Sequence, residues 1–168
     1  DYFLFPDESY PPALFKKVIQ LLVEQDVKIE WTTPIRFEEA LQDPELWEMA
    51  AKAGCRALYF GMESANERVL SLMNKHVKKH VIENNLRESA KVGIWNHVMA
   101  IFGFPGETRD EAEDTRQFLL ENKDNIHSLE MSNFVAYRHS PIVHNPERFG
   151  VTIHKQDEYD IPLDYYYT

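Results

Sequence analysis

Tyr59-Phe60-Gly61-Met62-Glu63-Ser64 closes a short apolar run, Ala57 to Phe60, with a glycine, then sets a carboxylate and a hydroxyl where a helix is due to begin. A strand that ends in glycine and hands polar groups to a helix entrance is how parallel α/β barrels build their sites. A second junction, Ile101 to Thr108 (IFGFPGET), repeats the arrangement about one strand-helix unit later. Two such junctions in one small chain point to a cofactor site.

Working outward from YFGMES, strand and helix patterns alternate. Tyr2 to Phe5 is an aromatic and aliphatic run stopped by Pro6, and Pro11 and Pro12 suit the first turn of a helix with the stripe Leu14, Val18, Leu21 and Leu22. Lys28 to Thr32 is β-prone and Pro34 is expected to end it. Asp43 and Pro44 predict a cap and a first helical turn, and Gly54 a stop. Arg56 to Phe60 follows as a strand, and Ser64 with Glu67 fits a capping box for a helix carrying Val69, Leu70 and Met73. A helix from about Lys79 to Val92 ends at Gly93 and leads to a strand, Ile94 to Phe102. Thr108 with Glu111 is a second capping box, its helix running towards Leu120, and the last clear strand lies within Ile126 to Tyr137.

About five strands separated by helices predict an α/β fold with a parallel sheet. Periodicity alone leaves an open doubly wound sheet and a curved barrel both available; the strand-end chemistry favours a partial (β/α) TIM-type barrel with about five parallel strands. The 168 residues allow one domain, read as barrel units over residues 1–137 and an irregular C-terminal extension over 138–168.

Composition excludes several functions. A formal net charge of -10 with scattered Lys and Arg argues against a nucleic-acid partner. The local group Lys75, His76, Lys78, Lys79 and His80 reads as a solvated helix face. The single cysteine, Cys55, permits no internal disulfide and cannot by itself hold zinc or an iron-sulfur cluster; it reads as a small buried hydrophobe. His76 and His80 have a helical i, i+4 spacing but no third ligand, so no metal site is assigned. There is no Walker phosphate loop, and no GxGxxG follows the first strand. Trp31, Trp47 and Trp95 read as core or site-wall residues. No apolar run is long enough to span a membrane and no basic-then-apolar leader is present, so the expected location is the cytoplasm.

In a parallel barrel the C-terminal strand ends converge on one face. Here they carry Asp7 and Glu8, then Arg36, then Glu63 and Ser64, then Gly103, Pro105, Gly106 and Glu107, then Tyr137 and Arg138. Carboxylates there can grip an amino group or ribose hydroxyls, and an arginine can hold a carboxylate in bidentate fashion. Asp7 also reads as a turn residue, and Ser64 and Thr108 as helix caps. Glu63 has no evident capping duty.

Four segments, Phe5 to Ser9 (FPDES), Ile29 to Arg36 (IEWTTPIR), Ala53 to His76 (AGCRALYFGMESANERVLSLMNKH) and Ile101 to Thr115 (IFGFPGETRDEAEDT), in this order and spacing resemble the radical SAM superfamily. The resemblance runs from Tyr2 to Tyr137 and is closest to the branch that often carries an N-terminal cobalamin-binding domain, which includes the anaerobic magnesium-protoporphyrin monomethyl ester oxidative cyclases. It implies a partial (β/α)6 barrel in an iron-sulfur oxidoreductase that reductively cleaves S-adenosylmethionine to a 5'-deoxyadenosyl radical. By position it puts Asp7 and Glu8 at the methionine amino group, Glu63 and Ser64 in the ribose and carboxylate region, Arg36 in the same pocket, and Ile101 to Gly103 near adenine.

It also implies a 4Fe-4S cluster on a CxxxCxxC loop, a small-molecule substrate, a reductant such as flavodoxin or ferredoxin, and cobalamin through another domain. The CxxxCxxC loop is missing from this chain. Since Tyr2 to Phe5 resembles the family's second strand, the expectation is an internal fragment, inactive alone and open to self-association through its first-strand edge. The competing expectation is a cluster-less barrel that binds a nucleotide or serves as an interaction module. A Schiff-base lyase or aldolase ranks last, because no strand-end lysine is apparent.

Overall fold

Strand order decides between the two architectures that periodicity leaves open. In the computed structural model, which describes residues 1–6, 10–154 and 164–168, one parallel sheet holds β1 (Tyr2–Leu4), β2 (Glu30–Ile35), β3 (Cys55–Glu63), β4 (Trp95–Phe102) and β5 (Ser128–Asn133) in the spatial order 1-2-3-4-5. Right-handed crossovers that always step in the same direction lay every helix on the same face; a doubly wound sheet would have to reverse its order. The chain therefore builds the wall of a TIM-type barrel, five strands long and not closed.

The connecting helices are α1 (Pro12–Glu24), α2 (Pro44–Lys52), α3 (Glu67–Leu72), α4 (Lys79–Lys91) and α5 (Arg109–Glu121). One core lies between them and the sheet. Phe15 and Ile19 of α1, Trp47 and Ala50 of α2, Ile82 and Leu86 of α4, and Phe118 of α5 pack against Trp31, Ile35, Leu58, Phe60, Met62 and Val98. The period-two alternation on β3 is clean: Leu58, Phe60 and Met62 are fully buried, while Tyr59 is exposed on the opposite face. Trp31 anchors the first half of the core, its indole nitrogen donating to the Ala53 carbonyl (2.9 Å) and its ring lying 6.0 Å from that of Phe15.

Local signals explain most boundaries. Asp43 caps α2 by accepting from the Glu45 amide (3.0 Å), with Pro44 in the first turn. Thr108 and Glu111 form the expected capping box on α5. Three expectations are corrected.

β2 runs through Pro34 to Ile35 rather than stopping at the proline. Trp31 bonds towards β3, through its amide to the Gly54 carbonyl, whereas Glu30 and Thr32 bond towards β1. That alternation turns the Pro34 nitrogen to the β1 side, past Leu4 where β1 pairing has ended, so no ladder bond is lost. Ser64 and Glu67 do not form a capping box: Asn66 caps α3, accepting from the amides of Arg68 (3.1 Å) and Val69 (3.2 Å). The basic group from Lys75 to His80 is not one helix face, because α4 begins only at Lys79; His76 lies in the preceding loop, off the helix that carries His80.

The C-terminal region, expected to be irregular, carries short elements over its described part. Ala136–Tyr137 (β6), Ile153–His154 (β7) and Asp164–Tyr167 (β8) form a small antiparallel sheet in the order β6-β8-β7, with a one-turn helix, α6 (Pro141–His144), between β6 and β7. None of the helices over the described residues is long and apolar enough to cross a membrane.

Candidate functional site

The C-terminal ends of β2 and β3 and the loop after α3 enclose an open hollow of about 950 Å³, lined by Arg36, Phe37, Gly61, Lys75 and His76 among others. Gly61 of YFGMES lines it. The pairing of β3 with β4 slips between Gly61 and Glu63, a bulge of the kind that re-aims side chains beside functional sites. Glu63 then takes a left-handed backbone, φ 63°, a conformation that a non-glycine residue holds at a cost of about 1–3 kcal/mol.

The bulge and the left-handed turn bring the Glu63 carboxylate back over Gly61, where Lys75 meets it. Lys75 Nζ donates to Glu63 Oε1 (2.6 Å) and to the Gly61 carbonyl (3.2 Å), and both side chains are mostly shielded. Gly61 leaves room for this arrangement: a Cβ there would lie 2.8 Å from Glu63 Oε1, and the carboxylate would have to shift away. The hollow is thus lined by two cationic side chains, Arg36 beyond β2 and Lys75 in the loop after α3, together with the carboxylates Glu38 and Glu39, and the Glu63 carboxylate is held against Lys75.

The next strand end is organised separately. Gly103, φ 76°, follows β4, and its amide donates to Glu107 Oε2 (2.6 Å) across the turn Phe104-Pro105-Gly106. The other Glu107 oxygen is buried without a hydrogen-bond partner, an unmet acceptor at the site end of the barrel wall. Tyr167 of β8 reaches the same turn, its hydroxyl donating to the Gly103 carbonyl (3.3 Å).

Arg68 of α3 braces the turn from the other side. Its guanidinium donates to both Glu111 oxygens (2.5 and 2.6 Å) and to the Gly106 carbonyl (2.5 Å), tying α3, α5 and the β4 loop together. The guanidinium, with bonds from the Thr108 amide and hydroxyl, holds the Glu111 carboxyl down at about 2. A carboxyl held below its unfolded value contributes stability that is fully present above the ordinary carboxylate range, about 4.3, and is lost as pH falls towards 2. Arg68→Met should therefore destabilise the protein at neutral pH, and its difference from wild type should narrow between pH 5 and pH 3. Urea titrations at several pH values check this; a difference constant across that window would contradict it.

Of the residues expected at the site, Arg36 lines the hollow with Gly61 and Lys75, and Glu63 joins it through its bond to Lys75. Ile101 is half-buried on β4 and Gly103 is exposed just beyond it, at the neighbouring strand end. Ser64 is fully buried and engaged inward: its hydroxyl lies 3.0 Å from Thr115 Oγ1 of α5 and accepts from the Asn66 amide (3.1 Å). Asp7 and Glu8 lie outside the described residues. Glu107 was named with the strand-end residues after β4 but given no role, and Lys75 was read only as part of a solvated basic group; the one signal for Lys75 was its place in the Met73-Asn74-Lys75 stretch after the strand.

Cys55 does not fit a cluster ligand. It is 1% exposed, burial pushes its thiol well up from the ordinary range, and it sits at the start of β3, the end of the strand opposite Glu63. Among the described residues no group of three or more His, Cys, Asp or Glu side chains is placed to hold a metal ion.

Residues 3–119 match the family model described as the Radical SAM superfamily. An uncharacterized methyltransferase of Pyrococcus horikoshii is 31% identical over 101 residues, 60% of this chain and 22% of that protein. The bacteriochlorophyllide d C-12(1)-methyltransferase of Chlorobaculum tepidum is 28% identical over 127 residues, 72% of this chain and 26% of that protein. The chain thus spans about a quarter of the length of these relatives. Among solved structures, the radical S-adenosylmethionine methyltransferase TsrM from Kitasatospora setae superposes with a TM-score of 0.67 at 17% identity, over 87% of this chain and 30% of TsrM. Coproporphyrinogen III oxidase HemN from Escherichia coli superposes with a TM-score of 0.61 at 17% identity, over 86% of this chain and 35% of HemN.

Proposed function

The chain belongs to the radical SAM superfamily, and we propose that it is the S-adenosylmethionine-binding part of a longer enzyme that transfers a methyl group to a small organic substrate. The observation that carries this reading is the Glu63–Lys75 pair, held at a bulged, left-handed strand end with Arg36 across the hollow. Its donor set suits a zwitterionic amino acid joined to a nucleoside. Lys75 and Arg36 are cations for a carboxylate, Glu63 is an acceptor for ribose hydroxyls or an ammonium, and Asp7 and Glu8 are further candidates for the amino group. Ile101 and Gly103 offer an apolar side chain and an open backbone for adenine; nothing lies within 4 Å of where a Gly103 Cβ would stand.

When bound, S-adenosylmethionine supplies an activated methyl and a 5'-deoxyadenosyl group. This chain's residues bind and orient it at the open strand ends. The residues described do not fit a 4Fe-4S cluster, and we assign its ligands to sequence outside residues 1–168, together with any cobalamin-binding domain; the small share of each relative that the chain spans supports this. The names of both relatives favour methyl transfer over the oxidoreductase chemistry expected at first. The reductant, the cytoplasmic location and the substrate belong to the same proposal.

Calorimetric titration of S-adenosylmethionine into the full-length protein, purified without oxygen, tests the reading. Glu63→Ala and Lys75→Met should each weaken binding roughly tenfold to a hundredfold, the range for removing a charged hydrogen-bond partner. Ser64→Ala, which removes only the inward contacts with Thr115 and the Asn66 amide, should leave affinity close to wild type. Wild-type affinity in both charge variants would sink the assignment.

A further inference from the structure

The turn after β4 carries the adenine side of the proposed cofactor site, and its main chain is held from several directions. Within the turn, the Gly103 amide donates to Glu107 Oε2 (2.6 Å) and the Glu107 amide to the Phe104 carbonyl (2.8 Å). From α3, Arg68 holds the Gly106 carbonyl (2.5 Å). A further hold comes from β8, where the Tyr167 hydroxyl donates to the Gly103 carbonyl (3.3 Å). Tyr167 is itself fixed in place. It pairs with Ile153 of β7, and the next residue, Thr168, exchanges two backbone bonds with Thr152 (2.7 and 3.1 Å). On its other side β8 pairs with β6, which closely follows Phe134, and the Phe134 amide donates to the Phe102 carbonyl at the end of β4 (2.8 Å). Rings close the same circuit. Phe104, the buried side chain of the turn, lies 4.9 Å from Phe134 and 6.0 Å from Phe149, and Phe134 lies 5.9 Å from Tyr167.

Gly103 is the point at which such a hold has a consequence. Its φ is 76° and nothing lies within 4 Å of where its Cβ would stand, so neither a side chain nor a packed neighbour sets the direction of the Gly103–Phe104 peptide. The Tyr167 hydroxyl sets it. A binding backbone that samples several orientations loses affinity by the fraction of time it spends in the competent one. We propose that Tyr167 is a positioning residue for S-adenosylmethionine: from the C-terminal sheet, its hydroxyl fixes the Gly103–Phe104 peptide and with it the open backbone that meets adenine. Tyr167 acts through Gly103 and touches no part of the cofactor. The small sheet β6-β8-β7 is therefore part of the cofactor grip, although its strands lie outside the parallel wall. The inference deepens the S-adenosylmethionine reading and rests on it for the placement of adenine.

In the full-length protein, purified without oxygen, calorimetry compares S-adenosylmethionine with 5'-methylthioadenosine, which keeps adenine and ribose and lacks the amino acid. Tyr167→Phe keeps the ring against Phe134 and removes only the hydroxyl. It should weaken both ligands by the same factor, about threefold to tenfold, the worth of one neutral hydrogen bond. Its urea midpoint should stay close to wild type, because Gly103 is exposed and water takes the place of the hydroxyl without fixing the peptide. Lys75→Met is the counter-case: assigned to the carboxylate, it should weaken S-adenosylmethionine and leave 5'-methylthioadenosine near wild type. A lowered urea midpoint in Tyr167→Phe with wild-type affinity for both ligands would make the hydroxyl merely structural and overturn the proposal. A loss confined to S-adenosylmethionine would also overturn it, since the influence would then lie away from adenine. Failure of the wild-type protein to bind S-adenosylmethionine would overturn the cofactor reading and the positioning role together, whereas wild-type binding with an unaffected Tyr167→Phe removes the positioning role alone.

Discussion

Gly54→Ala is expected to destabilise the protein by about 4 kcal/mol, combining a left-handed backbone penalty of about 1–2 kcal/mol with overpacking of about 1–3 kcal/mol. Gly54 has φ 88°, and a Cβ on it would stand 1.8 Å from the Ile29 carbonyl oxygen and 3.0 Å from its carbon, both backbone atoms that cannot rotate away. Relief by shifting the turn is blocked: the Gly54 carbonyl accepts from the Trp31 amide (2.9 Å), and the preceding Ala53 carbonyl accepts from the Trp31 indole (2.9 Å). Moving the turn therefore pulls on the residue that anchors half the core. Gly93 is the control. Its φ is 79° but nothing lies within 4 Å of its would-be Cβ, so Gly93→Ala should cost only the backbone part, about 1 kcal/mol. Urea denaturation of both variants tests the contrast; equal losses would mean that the steric term is absent.

Asn96→Ala should cost about 3–4 kcal/mol, again read from denaturant midpoints. Asn96 is fully buried under α4, and its amide donates to the carbonyls of Leu86 and Asn125 (both 2.9 Å) while its oxygen accepts from Ser89 (2.9 Å). Truncation takes the side-chain donor from two main-chain acceptors in a site closed to water, each loss costing about 1–3 kcal/mol, while the Ser89 hydroxyl keeps the Asn85 carbonyl at 2.7 Å. Ser89→Ala removes one donor that also reaches two helix carbonyls, and should cost about 1 kcal/mol. A loss below 1 kcal/mol for Asn96→Ala would show that the cavity refills with water. Asn96 also sets the phase of β4: with this side chain bound among the helices, Trp95 and His97 on either side of it point to the opposite face of the sheet.

Elements whose cause is local were legible in the sequence. Thr108 and Glu111 cap α5 because both partners lie within one helical turn, and Asp43 with Pro44 starts α2 for the same reason. Features decided by a neighbour distant in the chain were not. Pro34 stays in its strand only because β1 has already stopped beside it, and Ser64 gives up its cap to Asn66 because Thr115, fifty-one residues on, takes its hydroxyl. The barrel wall could not be separated from a doubly wound sheet, since alternation of strand and helix is common to both and only the spatial order 1-2-3-4-5 differs.

At the site, Glu63 stood out as a carboxylate with no capping duty, and the structure adds why it is aimed: a slipped ladder and a left-handed turn. Lys75 looked like one more charge on a polar helix because the helix boundary was misplaced; α3 ends at Leu72 and the chain turns through Asn74, φ 58°. Asn96 was hidden by an apolar run. Its position in the helix-facing phase was the available sign that it must be fully partnered.

The Glu63–Lys75 clasp spans only twelve residues, joining a strand to the loop behind its own helix, and the pair's hydrogen bonds reach no other unit of the wall. Such a clasp is a cassette. Residues 55–77 carry the bulge, the inverted backbone and the ammonium as one segment, so the wall can gain or lose units at either edge without retuning this grip.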